Sequence, residues 1–221
     1  SLTKYLTGNG TSLGGIIIDA GTFNWANGLF PEFTEPNPSY HGLNYHEALG
    51  AIAFIAKVRI EGLRDLGSAP SPFNSFQTIQ GIETLDIRMK KHSENALKLA
   101  AWLSTKDEVA WVNYPGLKTS KYNTLAQKYL SKGQSGVVTF GLKKGYEGGK
   151  IIADHTKLFA LLANIGDTKS LIIHPASTTH QQLDEAAQKA TGVTQDLIRL
   201  SVGLEDIKDL IKDLETAFTH L

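Results

Sequence analysis

From residue 108 onward, short apolar runs alternate with segments of helical period, and this alternation limits the architecture more than any other feature of the sequence. EVAWVNYPG, SGVVTFGLKKG, SLIIHPAS and LIRLSVGLE each carry a strand-like run rich in β-branched or aromatic side chains. HTKLFALLANIG, QQLDEAAQKATG and IKDLIKDLETAF read as helices. A sheet with one apolar face must bury it against another layer, so the pattern predicts an open-faced α/β or α+β sandwich. Its closing helix is amphipathic and packs on the sheet. There is no internal repeat and no low-complexity tract.

The first half has a different character. GGIIIDA, Gly14 to Ala20, is a β-branched run between glycines and predicts a buried strand. GTFNWANGLFPEFTEPNPSYHGL follows, aromatic and turn-rich but without period, as a long irregular segment of the kind that often carries function. Trp25, Phe23, Phe30 and Phe33 in it are expected to be packing residues or a subunit contact. Residues 45 to 66 look helical. After the break SAPSPFNS, the apolar positions Ile79, Ile82, Leu85, Ile87, Ala96, Leu97, Ala100 and Leu103 predict one long helix bridging two domains.

Composition excludes several classes of function. The 22 basic and 22 acidic residues cancel, leaving no electrostatic footprint for nucleic acid or an anionic membrane, so function must reside in a site. The chain has no cysteine, which removes disulfides, thiolate metal sites and a cysteine nucleophile together. No apolar run approaches the roughly 20 residues that span a bilayer, and the expectation is a cytoplasmic protein. His41 and His46 are five apart and His174 and His180 six apart, so neither pair has the helical spacing of metal ligands and no metal is expected.

The stretch that calls for a chemical explanation is SLTKYLTGNGTSLGG at the start. Hydroxyls followed by a glycine-rich turn supply donors that can hold a phosphate, and a nearby lysine can pair with it or act as a nucleophile. The order of residues is not that of a P-loop, and a polar surface loop would have the same composition. A catalytic lysine at position 4 would sit on a fraying terminus, so the expectation is that these residues are the later part of a longer chain.

Ser1-x-Thr3-Lys4 followed by Gly8-Asn9-Gly10 resembles the cofactor-lysine motif of the pyridoxal-phosphate enzymes of cysteine and methionine metabolism, the cystathionine γ-synthase-like family. SPFNSFQTIQGIETLDIRMKKHSENA, GDTKSLIIHPASTTH and LIRLSVGLEDIKDLIKDL resemble later blocks of that family in the same order. DAGTFNWANGLFPEFTEPNPSYHGL, AQKYLSKGQSGVVTFGLKKG and NIGDTKSLIIHPASTTHQQL are most similar to its O-acetylhomoserine sulfhydrylase branch. The resemblance runs over essentially the whole chain but only over the later portion of a family member. The earlier portion carries the aromatic residue stacked on the cofactor ring, the aspartate at its nitrogen and further phosphate ligands.

The resemblance implies an aspartate-aminotransferase-type (fold type I) enzyme. Residues 1–75 would be the end of the large cofactor domain, 76–105 a connecting helix and 106–221 the small C-terminal domain. It implies that Lys4 forms a Schiff base with pyridoxal 5'-phosphate and then moves protons. Ser1 and Thr3 would hydrogen-bond the cofactor phosphate. Arg199 would grip the substrate α-carboxylate, with Ser170 assisting through its backbone or hydroxyl. Asn9 stands where the family usually has histidine and is expected to be a structural variant. Lys169, where some relatives carry glutamate, is either a specificity residue or a surface lysine. Arg88 and His92, four apart, are expected to be a structural polar pair on one helix face.

The implied reaction is replacement of the acetyl group of O-acetylhomoserine by sulfide, in methionine biosynthesis. A homo-oligomer is implied, a tetramer built as a dimer of dimers, with sulfur arriving as free sulfide or on a carrier protein. Alternatives are another γ-carbon enzyme of the family, methionine γ-lyase or cystathionine γ-synthase, or a non-catalytic segment that needs its missing N-terminal half.

Overall fold

The computed structural model describes residues 1–221 and divides them into two compact units, Gly14–Ser75 and a unit formed by Ser1–Leu13 together with Phe76–Leu221.

Gly14–Ser75 is built from short helical pieces: α1 (Pro31–Thr34), α2 (Tyr45–Leu49) and α3 (Ala53–Lys57), the last continued by a π-helix over Val58–Asp65. The helical reading of residues 45 to 66 is interrupted at Gly50, whose φ of +51° lies in the left-handed region. The Asn44 side chain caps α2 by accepting the Glu47 N–H. The small core is aromatic. Trp25 stacks on Phe33 at a centroid distance of 4.1 Å and on Phe54 at 5.4 Å, and meets Phe30 edge-on. The four aromatic residues singled out in the sequence therefore pack among themselves.

The GGIIIDA run does not form the expected strand. Ile16, Ile17 and Ile18 are 61, 58 and 84% exposed, and the one β-bridge of this unit joins Asn37 to Leu43 elsewhere. β-branching favours an extended chain, but a strand is held by a neighbour's backbone groups and packing, and this run has neither within its unit.

The expected single helix is two: α4 (Pro72–Glu83), which belongs to the second unit from Phe76 onward, and α5 (Leu85–Leu103), broken at Thr84 (φ −108°, ψ 6°). The break follows from side-chain competition for helix acceptors. The Gly81 carbonyl accepts from Arg88 Nη2 at 2.6 Å, and Thr84 Oγ1 accepts from Arg88 Nε at 3.1 Å.

The sheet comprises β1 (Val109–Asn113), β2 (Val137–Leu142), β3 (Ala160–Leu161), β4 (Leu171–Ile173) and β5 (Leu197–Ser201). Their spatial order is β1-β2-β5-β4-β3, antiparallel throughout except for the parallel β3–β4 pair. Helices α6 (Asn123–Tyr129), α7 (Gly145–His155), α8 (Glu185–Ala190) and α9 (Ile207–Phe218) complete the unit. α9 coincides with IKDLIKDLETAF and buries Leu210, Leu214, Ala217 and Phe218 on one stripe. These side chains join Leu99 and Leu103 of α5, Ile152 of α7, and Val138, Phe140, Ile198 and Leu200 of the central strands in one core. Each fully buried side chain of this kind contributes about 1.5–3 kcal/mol of hydrophobic stabilisation relative to exposure. Because side chains alternate along a strand, burying Ile198 and Leu200 against the helices turns Arg199 to the other face of the sheet.

HTKLFALLANIG is not the expected helix. α7 ends at His155, before most of the run, and Thr156 is extended (φ −71°, ψ 144°). The Asp213 carboxylate on α9 then accepts the N–H groups of Lys157, Leu158 and Phe159 at 2.9–3.1 Å, taking donors a helix would use. The run continues as the edge strand β3. QQLDEAAQKATG is helical only over α8, which starts where the Asp184 side chain accepts the Ala187 N–H.

Candidate active site

Lys4 lies in a tight turn closed by Thr7 N–H to Leu2 C=O at 3.0 Å and Gly8 N–H to Lys4 C=O at 2.8 Å. Gly8 has φ +88°, a backbone conformation that favours glycine, and a Cβ there would come within 2.5 Å of Arg88 Nη1 and displace the guanidinium. The half-buried Lys4 ammonium donates to the side-chain oxygen of Asn164. Asn164 follows β3 in a turn in which its own N–H donates to Leu162 C=O at 3.0 Å. Its carbonyl in turn accepts from Arg199 Nη2 at 3.4 Å. Two of the residues singled out in the sequence, Lys4 and Arg199, are thus brought together through a third that sequence reasoning missed.

The lysine loop is bedded on the 164–168 segment. Thr168 N–H donates to Gly8 C=O at 2.8 Å and Thr168 Oγ1 to Asn9 Oδ1 at 3.2 Å. Gly166 (φ +75°) lets the two backbones meet, since a Cβ there would lie 2.7 Å from the Tyr5 nitrogen. Asn9 is therefore a tie between loops, in keeping with a structural role.

Arg199 stands opposite Thr139 of β2 and Ile173 of β4. It is half-buried and makes no ion pair; burial alone lowers its pKa from the usual arginine value. A desolvated guanidinium without a carboxylate partner is a costly group, and an anionic ligand able to accept its fork would relieve that cost.

Ser170 is placed differently from this cluster. Its N–H and its hydroxyl both donate to the Glu205 carboxylate, at 2.7 and 2.8 Å, and the hydroxyl accepts the Gly203 N–H at 2.8 Å. Thr3 is buried and Ser1 exposed, while Lys169 is exposed and donates its backbone N–H to Asp167 at 3.0 Å.

Arg88 and His92 share α5 but serve separate partners. Arg88 Nη1 donates to Tyr5 C=O at 2.8 Å and Nη2 to Leu6 C=O at 3.4 Å. His92 Nδ1 lies 2.7 Å from the Val202 carbonyl, which fixes the proton on that nitrogen, and the ring meets the Tyr5 ring edge-on at 5.2 Å. Its pKa is pushed down, chiefly by burial. His174 is likewise structural: Nε2 donates to Gln195 C=O and Nδ1 accepts from Ser177 Oγ, both at 2.8 Å, and burial lowers its pKa.

The chain therefore brings a primary amine, that of Lys4, and a guanidinium without an ion-pair partner, that of Arg199, to one residue. The amine fits a carbonyl-bearing cofactor and the guanidinium a carboxylate. The profile of the Cys/Met metabolism PLP-dependent enzyme family matches residues 1–219. The chain belongs to that family. It is 56% identical, over all of its length, to the O-acetyl-L-homoserine sulfhydrylase of Leptospira meyeri, covering 52% of that protein. It is 47% identical over 99% of its length to the homocysteine/cysteine synthase of Saccharomyces cerevisiae, again covering 52%.

A crystal structure of a Campylobacter jejuni O-acetylhomoserine (thiol)-lyase, solved with an N'-pyridoxyl-lysine-5'-monophosphate, superposes with a TM-score of 0.89 at 45% identity. It covers 99% of this chain and 52% of that one. The fold is thus that of the later portion of a fold type I enzyme, and the family's cofactor is pyridoxal phosphate. The chain spans about half the length of the relatives it matches. No helix is long and apolar enough to cross a membrane.

Proposed function

We propose that the whole protein is an O-acetylhomoserine sulfhydrylase that converts O-acetylhomoserine and sulfide to homocysteine and acetate in methionine biosynthesis. The observation that carries this reading is the joining of the Lys4 amine and the unpaired Arg199 guanidinium on Asn164, in a chain whose relatives bear that name. In it Lys4 holds pyridoxal phosphate, with the Ser1 and Thr3 hydroxyls on its phosphate. When bound, the cofactor supplies an electron sink for the substrate carbon that loses its proton.

Arg199 takes the substrate α-carboxylate with two parallel N–H donors, which sets the Cα–H bond in line for removal. The freed Lys4 amine accepts that proton and moves protons among the substrate carbons as acetate departs and HS⁻ adds at the γ-carbon. Asn164 holds the amine by its side-chain oxygen and the guanidinium by its carbonyl, fixing both ends of the amino acid's path. Ser170 acts through Glu205 and Gly203, which stiffen the chain just after β5, and so supports the carboxylate site from behind.

In the complete polypeptide we assign residues 1–75 to the end of the large domain, 76–105 to the connection and 106–221 to the small domain. A cytoplasmic homotetramer, a dimer of dimers fed by free sulfide or a sulfur-carrier protein, completes the proposal. The test is made on the full-length protein: sulfide-dependent homocysteine formation that Lys4→Ala abolishes is the expected result. Dominant keto-acid release would favour methionine γ-lyase instead, and normal turnover by Lys4→Ala would overturn the role of the lysine.

A further inference from the structure

Arg88 is only 7% exposed and makes no ion pair. Its charge is satisfied by three backbone carbonyls, those of Tyr5, Leu6 and Gly81, and by the Thr84 hydroxyl. A buried cation held this way costs more than a neutral side chain would, which turns attention to what the fork holds in place. Two of the three carbonyls belong to the residues that directly follow Lys4.

The glycines on either side are shaped to the same contact. At Gly8 a Cβ would meet the guanidinium at 2.5 Å. At Gly81 a Cβ would lie 2.4 Å from the carbonyl oxygens of both Leu6 and Thr7, so the lysine loop rests directly on the helix backbone beside the α4–α5 break. At that break the Gly81 carbonyl accepts the guanidinium, and the Thr7 and Thr78 hydroxyls pair at 3.1 Å at the adjoining edge.

We propose that Arg88, seated in the α4–α5 break with Gly81 beneath the loop, is a positioning residue that fixes the backbone from which the Lys4 side chain reaches Asn164. The proposal rests on Lys4 carrying the cofactor. A pure core staple predicts loss of stability alone; a positioning residue predicts loss in the steps that use the amine, with substrate binding at Arg199 spared.

The experiment uses full-length protein, stripped of cofactor for the loading readout and saturated with pyridoxal phosphate for the kinetics, as wild type, Arg88→Met, Arg88→Lys and Thr84→Ala. Three readouts are taken: kcat and KM, the rate at which borohydride-fixed pyridoxyl appears on Lys4 after cofactor addition, and amide hydrogen exchange along the chain. The expected result for Arg88→Met is a fall in kcat of at least about tenfold with KM changed less than about threefold. Fixation on Lys4 is slower, and exchange is faster at Thr7 and Gly8 while β2 and β5 stay protected. Arg88→Lys recovers part of each effect, and Thr84→Ala shows a smaller loss in the same direction; these two carry the test if Arg88→Met does not fold. Unchanged kcat, or loss of kcat only in step with opening of β2 and β5, overturns the proposal. Absence of pyridoxyl on wild-type Lys4 would instead overturn the cofactor reading, and the exchange at Thr7 and Gly8 then decides the clamp: if Arg88→Met leaves it unchanged, the clamp is refuted.

Discussion

Lys4 and Arg199 meet on one residue through different atoms: the lysine on the Asn164 side-chain oxygen, the arginine on the Asn164 backbone carbonyl at 3.4 Å. The two contacts can therefore be separated by mutation. Asn164→Ala removes the acceptor for the amine and leaves the carbonyl. The expected outcome is a fall in kcat of about tenfold or more, with KM for the amino acid substrate changed less than about threefold. Steady-state kinetics on the full-length enzyme checks it, and a rise in KM with kcat intact would show that Asn164 serves the carboxylate end instead.

Arg199 is expected to separate binding from stability. Arg199→Lys keeps a charge but loses the planar fork, and a lost charge-assisted hydrogen bond of about 1.5–3 kcal/mol corresponds to a KM increase of roughly 10- to 150-fold. Arg199→Ala should raise KM further while leaving thermal stability unchanged or slightly higher, because it relieves a half-buried cation that has no ion-pair partner. A drop in Tm comparable to that of a core truncation would mean that the guanidinium is structural.

Ser170 should behave in the opposite way. Ser170→Ala deletes the hydroxyl that bridges Glu205 Oε2 and the Gly203 N–H, leaving a fully buried donor and a carboxylate oxygen short of partners. Loss of about 1–3 kcal/mol of unfolding free energy is expected, with KM far less affected than in the Arg199 variants. Urea titration and steady-state kinetics measure the two sides, and a large KM change at unaltered stability would place the Ser170 hydroxyl on the substrate.

What the sequence made legible follows from periodicity. β1, β2, β4, β5 and α9 fall where the apolar runs place them: α9 buries one stripe, which helix period reports directly, while β4 is buried on both faces and shows as a short continuous apolar run. Lys4 and Arg199 were readable because they sit in motifs. Asn164 was hidden inside LFALLANIG, whose apolar run suggests a helix; the Asp213 carboxylate, more than fifty residues later, diverts the start of that run, and no local window contains it. The break at Thr84 was hidden likewise, because the α4 and α5 patterns are both helical and the interruption is made by Arg88 reaching back. The GGIIIDA run shows the converse limit: it is apolar and β-branched yet forms no buried strand, because a strand also needs a partner that the pattern cannot supply.

His92 and His174 are expected to contribute to the acid side of stability. Burial is the leading cause that lowers both pKa values below the unperturbed 6.5, and each ring donates one N–H to a backbone carbonyl in its neutral form. The unfolded chain, with histidines near 6.5, takes up protons at a pH where the native rings remain neutral. Their contribution is therefore full above pH 6.5 and is lost as pH falls from there through each native pKa, at no more than about 1.4 kcal/mol per histidine per pH unit. His92→Asn can place its side-chain amide where Nδ1–H stands, and His174→Gln can do the same for Nε2–H, in each case without a titrating group. Urea unfolding of full-length protein at pH 7.5 and pH 5.5 should show a marked loss for wild type, a smaller loss for either variant and the smallest for the double variant. If all four lose the same amount between the two pH values, the buried histidines are not what the acid limb reports.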